Sequence, residues 1–210
     1  MRLIDDDRVG GTRTVTLRIA TMFYIPDYPN DTATVFIKDN DPPPPTETVW
    51  VDDTVPAGAW TGADGGDSWN WVSESPPPFI GTVAHQSARA PGIHCHYFAE
   101  ATETLMVNPG DTLFTYVYLD SANPPREVML EWFDGTSWAH AAYWGENLIP
   151  WGTDGTASQR PMGALPTAGQ WVRLEVPASA VALEGSTLSG MNFVVYGGQA
   201  TWDFSGKTSQ

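Results

Sequence analysis

The chain is short of cysteine, of positive charge and of long apolar runs, and each shortage closes a class of function. One cysteine, Cys95, stands in 210 residues, so no internal disulfide forms and a zinc cage built on several thiolates is excluded. Ten Lys+Arg face 25 Asp+Glu, a formal charge of -15, which repels phosphate backbones and anionic leaflets. Neither nucleic acid nor membrane insertion is therefore expected. No run approaches the roughly 18 to 20 apolar residues of a membrane span, and no basic start leads into an apolar leader segment. Charged residues make up only 17% of the chain while aromatics reach 12%, a balance that belongs to a folded core rather than to disorder. Twenty Gly and 18 Pro break long helices and favour short strands joined by turns.

A proline run, Pro42 to Pro45, cannot join a helix and reads as a polyproline spacer. It sets the predicted organisation: strands in 1–41, a linker over 42–47, a main domain over 48–206 and a tail over 207–210. Before the spacer, 15–19 and 33–37 alternate apolar and polar residues around a turn-rich stretch holding Pro26, Pro29, Asn30 and Asp31. Asn30, Asp31 and Thr32 also form an acceptor sequon. Two or three strands bury too little to stand alone, so this piece is expected to lean on another domain of a longer polypeptide or on a second copy of the chain.

The segments IDDDRVGGTRTVTLRI and DTATVFIKDND resemble the C-terminal half of a Calx-beta domain, an immunoglobulin-like sandwich of large bacterial surface proteins, over about residues 3–41. That resemblance implies calcium near Asp39, Asn40 and Asp41. Gly10, Gly11 and Arg13 stand where the calcium-binding members carry acidic side chains, which assigns Asp5, Asp6 and the Asp39–Asp41 group to solvated turns.

From residue 48 the period-2 signal recurs at 48–51, 104–107, 112–119, 128–133, 171–176 and 192–196. Short strands between Gly, Pro, Asn and Asp turns predict an all-β chain, an antiparallel sandwich of jelly-roll type. The one helical stretch, 178–183, starts after Pro177 and stops at Gly185, too short to be more than a connector. In their order, VWVDD, GQWVRLEVPASAVALEGSTLSGMNFVVYGG and ATWDFSG resemble the galactose-binding-like jelly rolls that serve as carbohydrate-binding modules on secreted bacterial proteins. The resemblance implies a structural Ca²⁺ tying Asp52 or Asp53 to Asp203. The alternative is that Asp52 and Asp53 cap a turn.

Ten tryptophans exceed what a single sandwich core accommodates, and an exposed indole is a flat surface for the C–H face of a sugar ring. Trp50 and Trp171 lie in strand patterns and are expected in the core. Trp69 and Trp71, flanking Asn70 in a Gly- and Asp-rich stretch, and Trp144 and Trp151, around a second loop, are the candidate platforms. His85, Gln86, His94, His96 and Arg160 are the expected hydrogen-bonding partners. In an extended chain His94 and His96 share one face and Cys95 takes the other, which separates the thiol from both imidazoles. A hydrolase reading finds no Gly-x-Ser-x-Gly elbow, and among Glu74, Glu100, Glu131 and Glu146 nothing nominates a carboxylate pair. The expectation is a non-catalytic glycan-binding or adhesion module of a larger extracellular or cell-surface protein. The alternative is a stalk or filament subunit whose N-terminal strands pair with a neighbouring chain.

Overall fold

The computed structural model describes residues 13–18, 32–37 and 44–209. The chain divides into two compact units, one ending at Pro45 and one spanning Thr46–Ser209. In the first, β1 (Arg13–Arg18) pairs antiparallel with β2 (Thr32–Ile37), from Arg13 opposite Ile37 to Arg18 opposite Thr32. These are the two alternating runs read in the sequence. Asp5, Asp6, Gly10, Gly11, Asn30, Asp31 and Asp39–Asp41, which carried the Calx-beta and sequon readings, lie outside the described residues.

The second unit is an antiparallel β-sandwich. Its strands in chain order are β3 (Thr46–Val51), β4 (Trp60–Asp64), β5 (Asn70–Val72), β6 (Ala84–Gln86), β7 (Ile93–Ala99), β8 (Leu105–Met106) and β9 (Thr112–Leu119), then β10 (Glu127–Phe133), β11 (Ala141–Gly145), β12 (Arg160–Pro161), β13 (Trp171–Pro177), β14 (Thr187–Leu188), β15 (Gly190–Tyr196) and β16 (Ala200–Ser209). One sheet runs β12-β11-β10-β15-β7-β4; the other runs β13-β9-β16-β6-β5, with β3 also on β16. Residues 178–183 contain one 3₁₀ turn, Ala178–Val181, stopped by Ala182 in the left-handed region at φ 55°.

Alternation along the strands builds the core. Phe98, Leu130, Trp132 and Phe193 from the first sheet meet Leu113, Val117, Leu174 and Trp202 from the second, all nearly or wholly buried. The sandwich reaches beyond the 48–206 expected from sequence, because β3 and β16 pair to their ends, Thr46 opposite Ser209. Ion pairs fasten this margin: Arg173 to Glu47 at 2.7 Å and the buried Lys207 to Asp111.

Candidate functional site

The outer face of the first sheet carries the site. Residues directly opposite one another on antiparallel strands share a face, so the register sets out rows across β4, β7, β15 and β10. One row reads Gly62, Tyr97, Asn192, Glu131; the next reads Asp64, Cys95, Val194, Met129. The intervening residues His96, Phe193 and Leu130 point inward to the core. Trp60, two residues before Gly62 on β4, shares the outer face and is 47% exposed. Its ring meets Tyr97 edge-on at 5.5 Å. Glycine at position 62 is required by this arrangement: a Cβ there would lie 2.6 Å from Cζ of Tyr97, whose ring crosses the strand.

Two loops raise further indoles over the sheet. Between β10 and β11, Asp134 Oδ1 accepts from the Thr136 and Ser137 backbone amides and from the Thr136 hydroxyl, and His140 Nδ1 donates to the Val181 carbonyl at 2.8 Å. These bonds fix Trp138, which stacks on Phe133 at 5.1 Å and meets Tyr97 edge-on at 6.1 Å. Between β11 and β12, the Leu148 and Ile149 amides donate to Glu127 Oε2, and the Tyr143 hydroxyl donates to Asp154 at 2.9 Å. That loop lays Trp151 against the cluster of Cys95, Met129, Tyr143 and Val194. Trp60, Asp64, Cys95, Tyr97, Glu131, Trp138, Trp151 and Asn192 enclose a groove of about 360 Å³.

The floor of the groove is electrostatically unusual. Glu131 is 8% exposed, and burial pushes its carboxyl up to about 7, partly countered by the Asn192 amide, which donates to it at 2.7 Å. Burial likewise pushes the Cys95 thiol up to about 12, so it stays protonated and poorly nucleophilic at neutral pH. With an ordinary value of 4.5, Glu131 in the unfolded chain releases its proton before the folded chain does. The resulting stabilisation is complete below about pH 4.5 and is lost as pH rises through about 7. Glu131→Gln cannot ionise. It is expected to match the wild type near pH 4.5 and to exceed it by roughly 2–3 kcal/mol at pH 8 to 9, read from denaturant unfolding at the two pH values.

Of the side chains expected at the site, the structure brings only Trp151 to this groove. His94 and His96 do share a face, but it is the inner one, and His85 on β6 lies opposite Trp202. All three imidazoles are wholly buried, a correction that removes them from ligand contact. They form instead a network on Asp67, whose Oδ2 lies 3.3 Å from His94 Nδ1 and 3.2 Å from His96 Nδ1; His96 Nε2 lies 2.8 Å from His85 Nδ1. The imidazole contacts and the Ala88 amide hold the Asp67 carboxyl well below the usual range. An ionised Asp67 makes both Nδ1 atoms donors, and a single proton lies between His96 Nε2 and His85 Nδ1. Burial and the neighbouring His96 push His85 well below its ordinary value, consistent with a neutral ring. Trp69 covers this network, packing on His85 at 4.9 Å and His96 at 4.7 Å. Its Nε1 donates to the carbonyls of Tyr97 and Gly62, so it braces β4 and β7 from behind the groove rather than meeting ligand.

The other expectations part similarly. Trp144 lies opposite Val128 on the inner face and is 7% exposed, because it belongs to β11 and not to a loop. Arg160 donates through Nε to the Ala180 carbonyl and sits opposite Ala142 at the sheet edge. Trp71 is exposed on β5, stacked on Trp69 at 5.7 Å. Asn70 and Gln86 lie on the second sheet, where Gln86, Arg89, Tyr118, Asp120 and Gln199 line a separate pocket of about 280 Å³. There the polar groups bond to one another: Gln199 to Gln86 at 3.3 Å and Arg89 to Asp120 at 2.8 Å.

The carboxylates that the resemblance assigns to calcium bond to nearby backbone amides. Asp53 accepts from the Thr82 amide and hydroxyl and from the Val83 amide. Asp203 accepts from the Phe79, Ile80 and Phe204 amides. Only Asp52 keeps a buried oxygen without a partner. No group of three or more His, Cys, Asp or Glu suited to a metal occurs among the described residues.

Trp60, Asp64, Tyr97, Glu131, Trp138 and Asn192 were not singled out as ligand contacts by the sequence. They come from four strands and a loop that only the sheet order brings together. No family model matches the chain, and no curated protein matches it. Among solved structures it is similar to a carbohydrate-binding module of the β-sandwich superfamily, at 13% identity over 94% of this chain and 74% of that one, with a TM-score of 0.46. It is also similar to the family 11 carbohydrate-binding module from Clostridium thermocellum in complex with a β-1,3-1,4-mixed-linked tetrasaccharide, at 11% identity, 77% and 94% coverage and a TM-score of 0.42. A third similarity is to the glycoside hydrolase domain of Endo-D from Streptococcus pneumoniae R6, at 12% identity over 72% of this chain, with a TM-score of 0.45; the chain spans 21% of that structure.

Proposed function

We propose that the Thr46–Ser209 unit is a non-catalytic glycan-binding module of a larger extracellular or cell-surface protein. The observation that carries this reading is the gathering of Trp60, Tyr97, Trp138 and Trp151 around a polar floor on one outer sheet face. Flat rings hold the apolar faces of sugar units while the carboxyl and amide groups beneath them orient hydroxyls. The groove crosses four strands, about 14 Å from the first backbone to the last, so it holds an internal stretch of an oligosaccharide.

Catalysis is not supported by the same geometry. Asp64 on β4 and Glu131 on β10 stand three strand spacings apart, about 14 Å, against the roughly 5 to 10 Å between the carboxyl groups of a glycosidase. Cys95 is held as a thiol with no imidazole beside it: His94 and His96 face the other way.

Isothermal titration with a panel of neutral and amino oligosaccharides tests the proposal. Binding of at least one glycan without release of reducing ends is expected, and Trp71→Ala is expected to bind as the wild type does. Absence of binding across the panel, or binding lost in Trp71→Ala, would overturn the placement of the site.

A further inference from the structure

The polar groups of the groove are unbalanced in kind. Asn192 spends its Nδ2 on Glu131 Oε2, which leaves Asn192 Oδ1 without a partner although the residue is only 7% exposed. Asp64 adds a carboxylate at the β4 end, and the residues enclosing the groove include no Lys, Arg or His. A buried acceptor left unpaired is costly, so the floor calls for a ligand that brings donors. Hydroxyl groups both donate and accept; an ammonium group only donates, three times over.

The aromatic walls favour the same group. Trp60 and Trp138 each stand edge-on to Tyr97, at interplanar angles of 81° and 77°. Rings set at right angles present π faces in more than one direction. That geometry suits a compact cation, which is drawn to each face it meets, better than it suits one flat sugar ring alone. The formal charge of -15 on the chain attracts a polycation over longer range and repels polyuronates.

Building on the glycan-binding reading, we propose that the ligand is an amino-sugar chain, a glycan of 2-amino-2-deoxyhexose units with free protonated amines. An ammonium group docks at Asn192 Oδ1 and Glu131 between the aromatic walls, and Asp64 holds a second along the chain. The pairing leaves no acceptor idle at the floor and adds a charge contact at the Asp64 end of the groove.

The test is titration of the full chain at pH 6 with the hexamer of glucosamine, its fully N-acetylated counterpart and cellohexaose. The amine hexamer is expected to bind about tenfold more tightly than either neutral hexamer, with the preference shrinking as salt rises from about 50 to 500 mM. Asp64→Asn combined with Glu131→Gln is expected to bring the ratio of amine to neutral affinity close to one. Trp60→Ala combined with Trp138→Ala, which keeps every charge, is expected to lose the amine hexamer; retained binding there would mean attraction by net charge alone and would overturn the proposal. Equal or tighter binding of a neutral hexamer would overturn the amine preference and leave the glycan-binding reading standing. No binding of any hexamer, together with silence across the wider glycan panel, would remove both.

Discussion

Replacing Trp60 and Trp138 together by Ala is expected to weaken glycan binding about 100-fold or more. A ring that stacks on a sugar face and leaves water in doing so contributes on the order of 1.5 kcal/mol, so two together approach 3 kcal/mol. Trp60 is 47% exposed in the free protein, and little of the core rests on it. Trp138 packs on Phe133, so its loss carries a modest stability cost, on the order of 1–2 kcal/mol. Titration calorimetry reads the affinity, and a thermal melt followed by circular dichroism confirms that the double variant is folded. A variant that is folded and binds with wild-type affinity would place the ligand elsewhere.

Asp67→Ala is expected to lower stability by about 3–5 kcal/mol, the typical cost of removing one member of a buried charged network, and the melting temperature by roughly 10 °C. The carboxylate is fully buried and receives His94, His96 and the Ala88 amide. Without it, each loses its acceptor inside the protein. The change also reaches the groove, because Trp69 rests on His85 and His96 and bonds to the Tyr97 carbonyl. A red shift of tryptophan emission and weaker glycan binding are expected to accompany the loss of stability. The network further predicts acid sensitivity. The depressed Asp67 contributes stability above its ordinary value of about 3.8 that is lost as pH falls through the lowered folded value. His85, held neutral in the fold, costs stability once the unfolded chain binds a proton below about pH 6.5.

Much of the sandwich is legible in the sequence: β13 buries Leu174 and Val176 on either side of the exposed Glu175 in period-2 order, while β10 and β15 are largely apolar runs buried on both faces. Strand β7 escapes that reading. Its inward residues are His94, His96 and Phe98, and only the Asp67 network, contributed from a loop before β5, makes two imidazoles acceptable in a core. Strands β4, β5 and β6 have only five, three and three residues, too short for a period-2 pattern to stand out.

The surplus of indole is legible in the composition, and Trp50, Trp132, Trp144 and Trp202 are the four that the core encloses. Which of the others form a platform is a matter of topology. Trp60 opens a strand and looks unremarkable in sequence, yet β4 pairs with β7 and faces outward across from Asn192 and Glu131. Trp171, in a strand pattern, sits in an outer-face row opposite Tyr118 and donates to the Pro77 carbonyl instead of entering the core. The order β10-β15-β7-β4 joins residues more than a hundred positions apart, and no local pattern announces it.

The ten indole N–H signals of a ¹H–¹⁵N spectrum give the most direct reading of where a sugar sits. On titration with a bound oligosaccharide, the signals of Trp60, Trp138 and Trp151 are expected to move and those of Trp50, Trp132, Trp144 and Trp202 to stay in place. Movement confined to Trp71 and Trp171, on the second sheet, would contradict a binding groove on the β4–β7–β15–β10 face.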